Sequence, residues 1–313
     1  MSAVPASRSV TTTPTGTPSG GANALIRAVM AEYQPRRLGL GTVQFGLPYG
    51  ISNRRGQVPL SEVQEILSCA RKGGVSTLDT AANYGDAEEA LARADVASFR
   101  IVSKTIGIKN GIDAVVARAR QSVRMLGHVD MLLVHAVQDL LSPDGEALWS
   151  ALRNLRDEGV VGGIGISAYV ADNPGELAVR FRPDAMQIPF SVLDQRLLQD
   201  GTLGRLKDLG VEIHARSVFL QGLLFLEDLP EPLRHASQAL KAVRAHLAER
   251  GAAPLSAALA FVLAQPQVDV AIAGVTSVQE MQELLEAASV PAPDIDWTAC
   301  ALEDERILTP SLW

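Results

Sequence analysis

Thr77-Leu78-Asp79-Thr80-Ala81-Ala82-Asn83-Tyr84-Gly85 is an apolar run that closes on an acid and gives way to a loop carrying a tyrosine. Two later runs end in the same manner: Phe99–Ser103 leads into Lys104, and Val129–Val134 leads into His135. If the three runs are neighbouring parallel strands, an acid, a tyrosine, a lysine and a histidine converge at one end of a sheet. In a (β/α) barrel that is the end where chemistry takes place.

The same alternation runs along the whole chain. Strand candidates are Leu38–Val43, Val75–Asp79, Phe99–Lys104, Val129–His135, Gly162–Ser167, Ala185–Pro189, Val211–Ser217 and Val268–Ala273. Amphipathic windows lie between them at Ser61–Lys72, Gly111–Leu126, Gly145–Glu158 and Leu203–Leu209, and two more, Pro232–Arg250 and Leu255–Ala264, precede the last strand. Regular β-α alternation implies a parallel sheet. Gly73-Gly74, Gly159 and Gly210 fall just past helical windows, where C-terminal caps belong. An open doubly wound sheet is the competing architecture, but Gly-x-Gly-x-x-Gly does not follow the first strand. Eight strands with no sign of a second core favour an α/β chain built as one (β/α)8 TIM barrel.

Composition agrees with one large globular body. The 313 residues are 47% hydrophobic and 20% charged, enough apolar material for a sizeable core. Residues 1 to 23 are Ser, Thr, Pro, Gly and Ala with almost no large apolar groups and read as a disordered tail. The barrel is expected over residues 24–313, with a short helix near Ala24–Glu32 before Pro35. No apolar run approaches the ~20 residues that cross a bilayer, and a cytoplasmic protein with no membrane association is expected. A net charge of −7 and the absence of a basic stripe argue against a nucleic-acid partner. Cys69 and Cys300 have no zinc-type spacing, so no metal site is expected.

An isolated tyrosine exchanges its proton only near pH ~10. An ammonium beside it favours the phenolate, an acid beside the ammonium holds it in place, and a histidine beside the phenol can hydrogen-bond a carbonyl oxygen. Asp79, Lys104, His135 and Tyr84 are thus candidate catalytic residues, with Tyr84 as general acid. Taken singly, each has an ordinary role: Asp79 capping the helix that starts near Asp86, Lys104 in solvent, His135 at the rim, Tyr84 in packing. Taken together, they stand at the C-terminal ends of three consecutive strands, and the sequence shows no comparable set at the opposite ends. No serine or cysteine is paired with a histidine and no Walker loop is present, so acyl and phosphoryl transfer are not indicated. The quartet suits carbonyl protonation coupled to hydride transfer.

Asp79-Thr-Ala-x-x-Tyr84-Gly85, Ser103-Lys104-Thr105 and Asp130-Met-Leu-Leu-Val-His135 resemble the three catalytic signatures of the aldo-keto reductases, in their usual order. Gly162-Gly-Ile-Gly-Ile-Ser167, Gln187-Ile-Pro-Phe-Ser191 and Ala273-Gly-Val-Thr-Ser277 are similar to that family's fifth, sixth and eighth strand segments, and the likeness runs from about residue 36 to the end. It implies a monomer or weak homo-oligomer that binds NADP(H) or NAD(H) without a Rossmann domain and acts on a small-molecule carbonyl substrate. It further implies cofactor contacts at Thr42, at Ser167 and Gln187 for the carboxamide, at Arg216 where relatives stack a ring on the nicotinamide, and at Ser217, Leu220 and Gly222 towards the pyrophosphate. Gly274, Thr276, Ser277 and Glu280 are the implied contacts on the adenosine side, at the start of a helix.

Two positions depart from the family pattern. Ala215-Arg216-Ser217 places a guanidinium where most relatives stack an aromatic ring on the nicotinamide; it either stacks, disfavouring the charged oxidised ring, or faces an anionic substrate group or a neighbouring loop. After the last strand, Thr276-Ser277 and Glu280 stand where NADPH-preferring relatives place a cation, so NADH is expected to serve comparably or better. The substrate pocket is expected to draw on Gln44, Phe45, Tyr49, Phe190 and Phe219, with Trp149 as a further apolar wall and Ile307–Trp313 either over the mouth or docked on a helix. A cofactor-binding regulatory subunit of the channel β-subunit type is the alternative function. An aldolase using Lys104 is disfavoured, because Asp79 would raise rather than lower the lysine pKa.

Overall fold

The computed structural model describes residues 34–313; the tail at 1–23 and the helix expected near Ala24–Glu32 lie outside the described residues. Eight parallel strands close into a barrel in chain order: β1 (Leu38–Gly41), β2 (Thr77–Asp79), β3 (Arg100–Lys104), β4 (Met131–Val134), β5 (Ile164–Ser167), β6 (Ala185–Pro189), β7 (Glu212–Arg216) and β8 (Val270–Gly274). Closure is visible at Gly41, which pairs with Asp79 on one side and Gly274 on the other.

Several strands are shorter than their apolar runs, because their flanking backbone groups are used elsewhere. The amides of Val75 and Val211 donate to Ala70 and Leu206 and close the preceding helices, so neither residue joins the ladder. Thr42 and Val43 turn instead into a short helix, Val43–Gly46, with Phe45 N donating to Thr42 O. Ser217 leaves β7 with φ +59°.

The helical layer follows the amphipathic windows, at Leu60–Lys72, Ile112–Leu126, Gly145–Asp157, Thr202–Asp208, Ser237–Glu249 and Pro254–Ala264. The last is apolar on every side, and Ala257 through Leu263 are all buried, as a helix without a polar face must be. Its Phe261 lies between Phe190, 5.4 Å away, and Trp297, 5.3 Å away. Phe190 therefore packs into the helical layer, one residue beyond β6, rather than walling a pocket. Trp149 likewise packs on Phe181, at 5.6 Å, inside that layer. The C-terminal segment docks: Ile307 and Leu308 are buried, and Trp313 Nε1 donates to Arg306 O at 2.9 Å. Among the described residues no single helix is long and apolar enough to cross a membrane.

The N-terminal end of the barrel carries a charged set that the sequence pattern did not reveal. Arg100 opens β3 and Glu212 opens β7; the guanidinium forks onto the carboxylate, with Nη2 at 2.7 Å from Oε2, and His214 Nε2 meets Oε1 at 2.8 Å. Hydrogen bonds from His214 and Arg100 outweigh burial and hold the Glu212 carboxyl at about 2.

Candidate active site

At the C-terminal end, Lys104 is almost completely enclosed. Its Nζ donates to Asp79 Oδ1 and Oδ2, both at 2.8 Å, to Thr80 O at 2.9 Å and to Tyr84 Oη at 3.2 Å. Burial opposes an ammonium here, but Asp79 and Tyr84 outweigh it and Lys104 titrates above the ordinary lysine value. Gln187 Nε2 holds Asp79 Oδ1 from the other side at 2.6 Å, which leaves the Gln187 carbonyl to accept.

Tyr84 is positioned by its loop. A Cβ on Gly46 would stand 1.8 Å from the Tyr84 carbonyl, and one on Gly85, whose φ is +53°, 2.4 Å from the Gly46 carbonyl. Two glycines thus let the Tyr84 backbone press onto the helical turn after β1. The ring of His135, just past β4, meets the Tyr84 ring edge-on at 5.8 Å and 82°. Burial, with the charges of Lys104 and Arg216 outweighing Asp79, lowers the His135 pKa to about 4. His135 is therefore neutral at pH 7, with one ring N–H to donate.

These side chains open onto a cleft of about 770 Å³. Of the residues expected from sequence, it is lined by Thr42, Gln44, Tyr49, Asp79, Tyr84, Lys104, His135, Ser167, Gln187, Arg216, Ser217, Phe219, Gly222, Gly274, Thr276 and Glu280. Phe45 and Leu220 are instead buried beneath the turns that follow β1 and β7. Thr42 spends its hydroxyl on Asp79 O at 3.0 Å. Ser277 caps the helix Val278–Ala288, accepting from Glu280 N, while the Glu280 carboxylate folds back onto Thr276 N at 2.6 Å and Thr276 Oγ1 at 3.0 Å.

Other lining residues were not singled out by sequence: Ser52, Arg54, Arg55, Tyr169 and Gln221 among them. The segment after β1 crosses towards the loops after β7 and β8. Ser52 Oγ donates to Gln221 O at 3.2 Å, Gln221 Nε2 to Tyr49 Oη at 3.0 Å, and Arg55 Nη1 to Thr276 O at 2.5 Å. A usable signal existed for Tyr169, which stands two residues past Ser167 in the loop that leaves β5.

The lining suits a dinucleotide. Gln44 Oε1, His135 Nδ1 and Arg216 Nε are buried without a protein partner. Bare backbone faces the cleft at Gly41, Gly222 and Gly274; a Cβ on Gly274 would meet Gln44 Oε1 at 2.5 Å. Ser217, Leu220, Gln221 and Gly222 all have positive φ, a strained turn that presents backbone to the opening.

Comparisons with known proteins agree with this geometry. An oxidoreductase of Escherichia coli, YdhF, is 30% identical over 189 residues, 59% of this chain and 61% of that protein. L-galactose dehydrogenase of Arabidopsis thaliana is 27% identical over 242 residues, 69% of this chain and 74% of that protein. Among solved structures, the aldo-keto reductase AKR11C1 from Bacillus halodurans, in its holo form, superposes with a TM-score of 0.67 at 20% identity, covering 87% of this chain and 90% of that one, and supports the barrel. The aldo/keto reductase family profile matches residues 37–302, and the chain belongs to that family.

Proposed function

We propose that the protein is an NAD(P)H-dependent oxidoreductase that reduces the carbonyl of a small aldehyde, ketone or sugar, or oxidises the corresponding alcohol or lactol. The observation that carries the reading is Lys104 Nζ, bound at once to Asp79, Thr80 and Tyr84 in a buried site, with a neutral His135 against the same tyrosine. Ser167 and Gln187 are the groups to hold the nicotinamide carboxamide, Ser217–Gly222 the pyrophosphate and Gly274–Glu280 the adenosine end; the bound cofactor supplies the hydride. Tyr84 supplies the matching proton, so that a carbonyl plus hydride plus proton gives the alcohol. Lys104 stabilises the phenolate left behind, Asp79 keeps the ammonium in place, and the N–H of His135 orients the carbonyl oxygen. Tyr49, Gln44 and Phe219 form the part of the cleft offered to substrate.

NADH is expected to serve at least as well as NADPH. Arg55, beside Thr276, is held by Glu62 in a two-bond fork of 2.9 and 2.8 Å, and Glu280 and Glu283 add negative charge to that end of the cleft. Arg54 is the competing cation on the same loop; a preference for NADPH of about a hundredfold or more in kcat/KM, some 2.7 kcal/mol, would overturn the expectation.

The test of the catalytic assignment is Tyr84→Phe. It should lower kcat on the order of a thousandfold and leave the dinucleotide Kd nearly unchanged. Turnover at the wild-type rate would refute Tyr84 as the acid.

A further inference from the structure

Arg216 ends β7 and lines the cleft with Tyr84, His135, Ser167 and Gln187. Its guanidinium carbon lies 4.1 Å from the centre of the Tyr169 ring. Nη2 donates to Ala168 O at 3.2 Å and Nη1 to Ser217 Oγ at 3.4 Å. These partners follow β5 and β7. Because β6 is the strand between those two, the side chain reaches across the end of β6, the strand that carries Gln187.

None of its partners is an anion. No carboxylate stands within ion-pair distance of Arg216 among the described residues, and Nε is buried with no acceptor. Lys104, the buried cation nearby, is by contrast matched by Asp79 at 2.8 Å. Beside Tyr84 and His135 the cleft therefore holds, at Arg216, a positive charge that no carboxylate among the described residues compensates. Its reach is visible at His135, which it helps burial and Lys104 to hold down.

We infer that Arg216 biases the redox state of the bound cofactor, disfavouring the oxidised nicotinamide ring, which carries a positive charge, against the reduced ring, which is neutral. The inference rests on the dinucleotide reading above and adds a direction to it: the site holds NAD(P)H more tightly than NAD(P)+ and is set for carbonyl reduction. Coulomb repulsion between unit charges in a site of intermediate dielectric is large enough to shift affinity by about tenfold or more.

The experiment measures Kd for NADH and for NAD+ by fluorescence titration of the full-length wild type, Arg216→Lys and Arg216→Met, with Arg216→Gln as a second neutral variant should the Met variant not fold. The expected wild-type ratio Kd(NAD+)/Kd(NADH) is about tenfold or more, retained in Arg216→Lys and reduced about fivefold or more in the neutral variant. An unchanged ratio in the neutral variant, or an equal weakening of both forms, overturns the inference and leaves Arg216 as mechanical support. An unchanged ratio with a raised KM only for carboxylate-bearing carbonyl substrates overturns it in favour of substrate recognition. Failure of the wild type to bind either form instead sinks the dinucleotide reading itself.

Discussion

The two ends of the barrel each carry a set of charges with members on β3 and β7, yet they differ in what stands beside them. At the N-terminal end, Arg100 and Glu212 satisfy each other through two hydrogen bonds, His214 Nε2 joins Glu212 while its Nδ1 is buried without a partner, and none of the three lines the cleft. At the C-terminal end, Lys104 and Asp79 are matched as tightly, but around them Tyr84 Oη, a neutral His135 and an unpaired Arg216 border an open cleft. A charge cluster alone therefore does not mark a site; residual hydrogen-bonding and charging capacity beside a cavity does.

That contrast can be broken at either end. The largest effect is expected from Lys104→Met, which removes the cation beside Tyr84 and strands Asp79 in a buried setting. Steady-state kinetics should show kcat lower by roughly a hundredfold or more with an altered pH profile, and thermal melting should show a loss of a few kcal/mol. Glu212→Leu should do the reverse. It leaves Arg100 and His214 without their acid and costs about 1–3 kcal/mol, since the Arg100–Glu212 pair is partly solvated, while kcat at a temperature where the variant is folded stays within about twofold of wild type. A large kcat effect there would mean that the two ends are coupled.

A smaller effect is expected for Gly46→Ala, because its Cβ would force the Tyr84 carbonyl away. It should lower kcat about tenfold with dinucleotide Kd retained; an unaffected kcat would show that the Tyr84 loop yields without consequence.

Titration separates the ends by pH window. The folded pKa of His135, about 4, lies below the 6.5 of a free imidazole, so the unfolded chain takes up that proton first. The stability it contributes is complete above pH 6.5 and is lost as pH falls towards 4. Glu212, at about 2 against 4.5, contributes stability that is complete above pH 4.5 and is lost as pH falls towards 2. Melting curves against pH should lose the upper part of their acid decline in His135→Asn and the lower part in Glu212→Gln. The same windows in all three proteins would contradict the assignment.

The barrel was legible because its strands are short apolar runs bounded by glycines and polar residues, and the quartet was legible because Asp79, Lys104 and His135 each close such a run and Tyr84 follows the first of them. Strand limits were less so: nothing in Val75 or Val211 announces that its amide will close a helix. Phe190 stands just past a strand end, as His135 does, but packs on Phe261 in the helical layer; sequence position alone does not say which way a residue beyond a strand will face. The Arg100–Glu212 pair was hidden for another reason, since its partners are 112 residues apart and meet only when the barrel closes. Arg55 on Thr276, 221 residues apart, is the same case at the cleft.

The most direct test of the account is to titrate the purified wild-type protein with NADH and NADPH by fluorescence and then to follow cofactor oxidation over a panel of small aldehydes, ketones and sugars. The account predicts saturable binding of a reduced dinucleotide and its oxidation in step with carbonyl reduction. Binding without turnover of any carbonyl across the panel would contradict the assignment of the Asp79–Lys104–Tyr84–His135 set as a working acid. Absence of binding would contradict the reading of the cleft.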